Sequence, residues 1–221
     1  VANYHTRTVK DSPEVNVSVK GVGGNLEITP PGKFLPMFGR NGGVSLFERG
    51  ETDHFYLNDG KGGFRAVDWL SGVFVDTSGK PLQEAPKEWG LAAMFRDIDG
   101  DGAPDIYVCN DFFFSPDEIW LNDGQGKFRM SPVAMVRHIS MSSMAVDFAD
   151  INRDGLDDFF VLDMMSRDHR TRHRQRGSLV HLKTATPGTN PAYRPEYPRN
   201  TLYLNRGNGT YSEVALLAGV D

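Results

Sequence analysis

The chain has 221 residues, among them 24 glycines and 13 prolines, and a formal net charge of −5 at neutral pH. This is the composition of a globular chain with many turns, and its acidity argues against nucleic acid as a partner. No apolar run is long enough for a transmembrane helix, so the sequence predicts no membrane span.

The first 43 residues form a strand and loop segment of unclear identity. Val15, Val17 and Val19 alternate with polar residues, which predicts a half-buried strand. Residues 29–43 are rich in proline and glycine, which predicts a loop or linker. The sequence does not decide whether residues 1–43 belong to the repeated structure that follows or form a small adjoining module.

A glycine-rich turn occurs three times between strand-like runs, at 56–64, 120–128 and 203–211. Each copy has an aromatic-Leu pair, then Asn and at least two glycines, then another aromatic residue. Glycines in this pattern favour the left-handed backbone of a β-hairpin turn. A phosphate-cradling loop would need a helix after it, and no helix-forming run follows. The pattern therefore predicts three β-hairpins.

A nine-residue aspartate-rich loop occurs twice, at 97–105 and 150–158. Both copies have oxygen-bearing side chains at positions 1, 3, 5 and 9 and glycine at position 6. These side chains are Asp97, Asp99, Asp101 and Asp105 in the first copy, and Asp150, Asn152, Asp154 and Asp158 in the second. Such an oxygen-only set favours Ca²⁺, and without a cation the clustered carboxylates would repel one another. The alternative is an acidic surface hairpin without metal, which has more weight in the second copy because of Asn152 and Arg153.

Both loops differ from an EF-hand, which needs a Glu at position 12 and a helix on each side. Position 12 is Val108 in the first copy and Val161 in the second. The flanking runs have strand length and are rich in β-branched and aromatic residues. They are 91–95 and 105–109 around the first loop, and 144–148 and 158–162 around the second. Each loop is therefore predicted to connect two strands.

Together the two elements predict an all-β chain built from four-stranded antiparallel blades of a β-propeller, each with a calcium loop between its first two strands. The predicted propeller spans 44–221. It comprises a partial blade at about 44–75, a blade at about 88–132, and a blade at about 139–216 with an insertion at 166–198. Because propellers close with about four to eight blades, we expect either a longer parent chain with further blades or assembly with copies of this chain.

These residues resemble FG-GAP or VCBS repeat proteins, whose blades are similar to those of the integrin α-subunit propeller. Within that group the chain resembles bacterial proteins related to the ASPIC/UnbV family and to cartilage acidic protein. The resemblance rests on residues 148–164, 199–205 and 215–220, and it covers roughly 53–221.

The resemblance implies two Ca²⁺ sites formed by the loop side chains given above. It adds the backbone carbonyls of Ala103 and Leu156 as ligands, and it places Arg153 and Asp157 at non-ligand positions that face solvent. Cys109, the single cysteine, lies in a predicted strand and is expected to pack in the core.

The insertion at 166–198 opens with five arginines in ten residues, 167–176. This segment is compatible with three interpretations. It can be a solvated or partner-packed basic segment, or a surface that binds a polyanion such as a sulfated or uronic-acid glycan or a phosphate backbone. The third is a metal pair formed by His169 and His173 on one helical turn. The arginines and the lack of a third neutral ligand argue against the metal pair.

The leading functional hypothesis is a non-catalytic, calcium-binding β-propeller module that binds a protein or glycan ligand at the cell surface, in the periplasm or outside the cell. No Gly-x-Ser-x-Gly motif is present, and Cys109 has no evident His partner. The alternative is a carbohydrate-active enzyme, similar to a polysaccharide lyase, that uses Arg or His residues of 166–198 on the same scaffold.

Overall fold

The structure is a computed structural model that describes residues 1–2, 8–21, 26–38, 43–111, 115–176 and 194–221. In these ranges the chain consists mainly of β-strands in antiparallel sheets, with few helices, in agreement with the predicted all-β class. Among the described residues, no helix has both the length and the apolar character that a membrane crossing requires.

The N-terminal segment contains two separate strand pairs. Strands β1 (Ser18–Lys20) and β2 (Glu27–Thr29) pair with each other, as do β3 (Phe34–Phe38) and β4 (Val44–Glu48).

One prediction for this segment was confirmed in part and another was wrong. A strand forms at the alternating valines, but it includes only Val19 of the three, and Val17 and Val19 are exposed instead of half-buried. The predicted loop at 29–43 contains β3, because four of its five residues are large and apolar and outweigh the flanking glycines and prolines.

The first predicted hairpin forms from β5 (Phe55–Asn58) and β6 (Phe64–Val67). The turn glycines Gly60 and Gly62 have φ of 73° and 90°, the left-handed conformation that the pattern predicted. A 3₁₀ turn at Trp69–Ser71 then leads into the short strand β7 (Phe74–Val75).

The first large sheet contains β8 (Gly90–Arg96), β9 (Asp105–Asn110), β10 (Glu118–Asn122) and β11 (Phe128–Met130) in sequence order, with antiparallel neighbours. Strand β7 joins this sheet by pairing parallel to β11.

The second large sheet has the same order. It contains β13 (Ser143–Ala149), β14 (Asp158–Asp163), β16 (Thr201–Asn205) and β17 (Tyr211–Glu213). The short strands β12 (Ile139–Ser140) and β15 (Glu196–Tyr197) pair in parallel beside it. Among its described residues, this part of the chain also contains the helices α1 (His169–Arg176) and α2 (Ala215–Ala218).

The chain that leads into each large sheet lies beside the outermost strand of that sheet. Phe128 of β11 donates its backbone N–H to the carbonyl of Val73 at 2.8 Å. Tyr211 of β17 makes the equivalent bond to Met135, also at 2.8 Å. The two sheets therefore repeat this outer contact as well as the strand order.

The central strands β9 and β10 of the first large sheet are buried on both faces, and their alternate residues point to opposite sides. Tyr107 and Cys109 of β9 pack with Phe159 and Tyr203 of the second sheet in one apolar cluster. Ile106 and Val108 belong to a second cluster on the opposite face, with Trp69, Phe74, Trp120 and Phe128. Cys109 is 0% exposed, as predicted, and burial raises the pKa of its thiol. The two large sheets therefore stack face to face around a continuous core.

Candidate metal-binding loops

The first aspartate loop connects β8 to β9, as predicted. Gly100 and Gly102 at loop positions 4 and 6 have φ of 84° and 89°. Their peptide N–H groups donate to the two carboxylate oxygens of Asp97 at 2.8 and 3.0 Å. Glycine at these two positions therefore lets the chain fold back over the first aspartate of the loop.

Three carboxylates of this loop converge. Asp97, Asp99 and Asp105 each offer an oxygen, and these oxygens lie within 4.8 Å of one another. Burial, followed by the negative charge of Asp101, raises the pKa of Asp99. Three clustered anionic oxygens match the preference of a hard divalent cation, which would offset this repulsion. The arrangement can therefore hold a metal ion.

The remaining side chain predicted as a ligand of this loop stands apart from the cluster. Asp101 lies outside the group of converging carboxylates, and its side chain accepts the N–H of Ala103 at 2.8 Å. The predicted role of the Ala103 carbonyl as a ligand stays a prediction.

Asp105 also has a structural role. It is 0% exposed, and one carboxylate oxygen accepts the backbone N–H of Ile98 at 2.7 Å. Its other oxygen accepts the N–H of Asn122 at 2.7 Å, and the Asn122 amide donates to the Pro104 carbonyl at 3.1 Å. The loop is thereby joined to the glycine turn between β10 and β11.

The second loop repeats these contacts between β13 and β14. Asp150 accepts the N–H groups of Asp154 and Gly155, each at 3.0 Å. Asp158 is 0% exposed and accepts the N–H of Ile151 at 3.0 Å and that of Asn205 at 2.8 Å. In both loops, therefore, the aspartates at positions 1 and 9 accept backbone N–H groups, and the position-9 aspartate also bonds the following glycine turn.

The second loop differs in its oxygen cluster. The side-chain amide of Asn152 donates to Asp154 at 2.9 Å, so a donor group lies where the first loop has a carboxylate. In the part of the chain that the structure describes, the loop carboxylates Asp150, Asp154 and Asp158 are not within the 4.8 Å that groups those of the first loop. Residues of the first loop therefore fit a cation better. The roles of Asn152 and of the Leu156 carbonyl as ligands stay predictions.

The two non-ligand positions of the second loop behave differently from each other. Arg153 is exposed, as predicted, and has φ of 62° at loop position 4, where the first loop has glycine. The prediction that Asp157 faces solvent was wrong. Its carboxylate is 26% exposed and forms an ion pair with Arg96 at the end of β8, which links the two large sheets. This contact joins residues 61 positions apart, so local sequence could not reveal it.

Sequence reasoning also missed the Asn of the glycine turn. Asn122 and Asn205 both cap their own turns, accepting the N–H groups of Gly124 and Gly207 at 3.1 and 2.9 Å, in addition to bonding the preceding loop. The recurrence of Asn at one position in every copy was the signal available.

The Arg-rich start of the insertion forms helix α1. His169 and His173 lie on one side of it with ring centroids 4.5 Å apart, as a helical turn predicts. Among the described residues, they do not belong to a cluster of three metal-ligating side chains. Most of the predicted insertion, 177–193, lies outside the described residues, so the solvated or partner-packed segment and the polyanion-binding surface both stay predictions.

A buried carboxylate on β10 leads us to expect that the stability of the fold depends on pH. Glu118 accepts the indole N–H of Trp120 at 2.9 Å and is 8% exposed. Burial and the nearby Glu88 carboxylate raise its pKa to about 8 from 4.5, and Asp53 adds to this while Arg194 opposes it. Since the folded chain holds this proton more tightly than the unfolded chain, the free energy of unfolding should fall as pH rises from 4.5 to about 8.

We therefore expect Glu118→Gln, which stays neutral, to match the wild type near the acidic end of this window. Above pH 8, the free energy of unfolding of Glu118→Gln should exceed that of the wild type by an amount on the order of a few kcal/mol, since one pKa unit corresponds to about 1.4 kcal/mol. Urea denaturation at several pH values measures the difference. Glu27→Gln, at an exposed position, is the matched control and should keep the wild-type pH dependence. A constant difference between Glu118→Gln and wild type at all pH values would contradict the expectation.

Comparison with known proteins places both loops in one family match. Residues 97–161 match the family model described as FG-GAP-like repeat. No curated protein and no solved structure matches the chain. The match runs from the start of the first loop into β14 and covers less than half of the chain, so this portion is similar to FG-GAP-like repeats.

Proposed function

We propose that this chain is part of a calcium-stabilised β-propeller that serves as an interaction module outside the cytoplasm, for a protein or glycan ligand. The similarity of residues 97–161 to FG-GAP-like repeats supports this proposal. So does the face-to-face stacking of two sheets with the same strand order. The resemblance of the chain to the ASPIC/UnbV group is part of the same proposal.

The observation that carries the calcium proposal is the convergence of Asp97, Asp99 and Asp105. Their oxygens, with further oxygens from the same loop or from water, would form the all-oxygen shell that Ca²⁺ takes. The second loop would bind more weakly, because the Asn152 amide replaces an anionic oxygen.

The role of the ion would be structural. Binding at the first loop would fix the connection from β8 to β9, and through Asp105 it would also stabilise the turn that carries Asn122. If Ca²⁺ is present at about tenfold above its Kd, the ion stabilises the fold by roughly 1.4 kcal/mol.

Calcium removal should therefore lower the melting temperature. For a chain of this size, we expect EGTA to lower Tm by about 3–5 °C, and excess Ca²⁺ but not Mg²⁺ to restore it. Asp99→Asn should melt near the EGTA value whether or not Ca²⁺ is present. Asp123→Asn, an exposed turn aspartate of the same sheet, is the control and should retain the full response. Equal melting of the wild type in Ca²⁺ and in EGTA would refute the proposal.

The enzyme hypothesis concerns residues 166–198, most of which lie outside the described residues. No contact of the described part favours it over the interaction module. It stays a prediction, tested by formation of unsaturated uronate from acidic glycans.

A further inference from the structure

Helix α1 is a short basic helix on the surface. Its eight residues include no apolar side chain, and His169, Arg170, His173 and Arg174 are all exposed. We call these four residues the basic face. Isolated helices shorter than about 12–15 residues are marginal in water. The helix therefore depends on contacts at its ends.

Those contacts fix the helix without using its basic face. At the N-terminal end, the Asp168 carboxylate accepts the backbone N–H and the hydroxyl of Thr171 at 2.8 and 2.7 Å. Near the other end, Gln175 accepts the N–H of Ser166 at 2.7 Å and donates to the Met164 carbonyl at 3.5 Å. Asp168 thus caps the first turn of α1, and Gln175 ties the helix to the segment that follows β14.

The charges of α1 are poorly compensated. Arg170 and Arg174 are four residues apart, an arrangement in which like charges repel along a helix. Arg167, just before the helix, pairs with Asp221 at 3.7 Å. By contrast, none of the ion pairs found among the described residues includes Arg170, Arg172 or Arg174. An anionic partner would relieve this repulsion.

The chemistry of the helix favours one class of polyanion. Guanidinium groups bind sulfate, phosphate and carboxylate through paired hydrogen bonds. A helix of eight residues is about 12 Å long, enough for a few anionic groups of one thin chain. Nucleic-acid binding commonly adds stacking on aromatic side chains such as Phe, Tyr and Trp, none of which is present in α1.

We propose that the basic face of α1 binds a sulfated polysaccharide. This proposal gives the class of ligand that the interaction module would bind, and it rests on the function proposed above. The two can fail separately, since calcium stabilisation is measured by melting and glycan binding by titration.

The test is titration of the full chain with a heparin oligosaccharide at about 50 mM and 200 mM salt. Charge-mediated contacts in nucleic-acid complexes each lose about threefold in affinity over this range, so two arginines should contribute on the order of tenfold at low salt. We therefore expect Arg170→Ala/Arg174→Ala to bind about tenfold more weakly than the wild type and to respond less to salt. Arg170→Lys/Arg174→Lys keeps the positive charges but loses the paired donors of the guanidinium groups. Its affinity for the oligosaccharide should lie between those of the wild type and the alanine variant.

Arg65→Ala/Arg206→Ala is the matched control, because it removes the same charge from exposed positions on two glycine hairpins. It should bind like the wild type, and all variants should keep the wild-type melting temperature. The proposal is overturned if the wild type does not bind heparin, or if the control loses as much affinity as the α1 variant. It is equally overturned if duplex DNA of matched charge binds more tightly than the oligosaccharide.

Discussion

Replacing Asp105 with alanine should destabilise the fold by about 3–6 kcal/mol, even when EGTA has removed any bound cation. The substitution leaves the N–H groups of Ile98 and Asn122, and the weaker donor Asp99, without their acceptor. Each unsatisfied buried donor costs about 1–3 kcal/mol. This loss approaches the total stability of about 5–15 kcal/mol that is typical of a domain.

Urea denaturation in EGTA measures this effect apart from any contribution of calcium. Asp101→Ala is the matched control, because its side chain is exposed and accepts one hydrogen bond, from Ala103. We expect that control to lose less than about 1.5 kcal/mol, the usual net value of one hydrogen bond. Equal losses for the two variants in EGTA would contradict the structural role of Asp105.

Arg194→Met should cost about 3–5 kcal/mol. Arg194 is 3% exposed and donates to the carbonyls of Val136 and Ser131 at 2.8 and 3.2 Å and to the Ser131 hydroxyl at 2.8 Å. Its charge also faces Asp117 and Glu118, while burial lowers its pKa. Methionine retains much of the volume but leaves these buried oxygens without their donor. Each buried polar group without a partner costs about 1–3 kcal/mol.

The same denaturation assay tests this prediction at neutral pH. Arg194→Lys should retain part of the stability, because one ammonium group cannot reach all the oxygens that the guanidinium contacts. Arg65→Met, at an exposed position, should stay within about 0.5 kcal/mol of the wild type. A loss for Arg194→Met as small as that of Arg65→Met would show that the buried guanidinium contributes nothing net.

Local features of the fold were predictable from sequence because local residues determine them. Spacing within nine residues identified both aspartate loops, and the glycines identified the three hairpins. The prediction of a loop at 29–43 was wrong for β3. It relied on the glycine and proline content of the segment and took no account of the apolar residues of β3.

Contacts between distant residues were not predictable in the same way. The ion pair of Arg96 with Asp157 and the bonds of Arg194 to the segment around Val136 join residues about sixty positions apart. The candidate site shows the same division. Repeat spacing indicated which side chains surround a cation, but only the structure separates the converging Asp99 from Asp101.

The bonds of Phe128 to Val73 and of Tyr211 to Met135 have a consequence for association between molecules. An uncovered outer strand is a template on which another chain can pair, and such pairing leads to aggregation. Here the incoming chain occupies part of that template at both large sheets. In each of these two repeats, the incoming segment pairs with the outermost strand of its own sheet. Such a repeat can therefore be added in tandem without exposing a further unpaired outer strand.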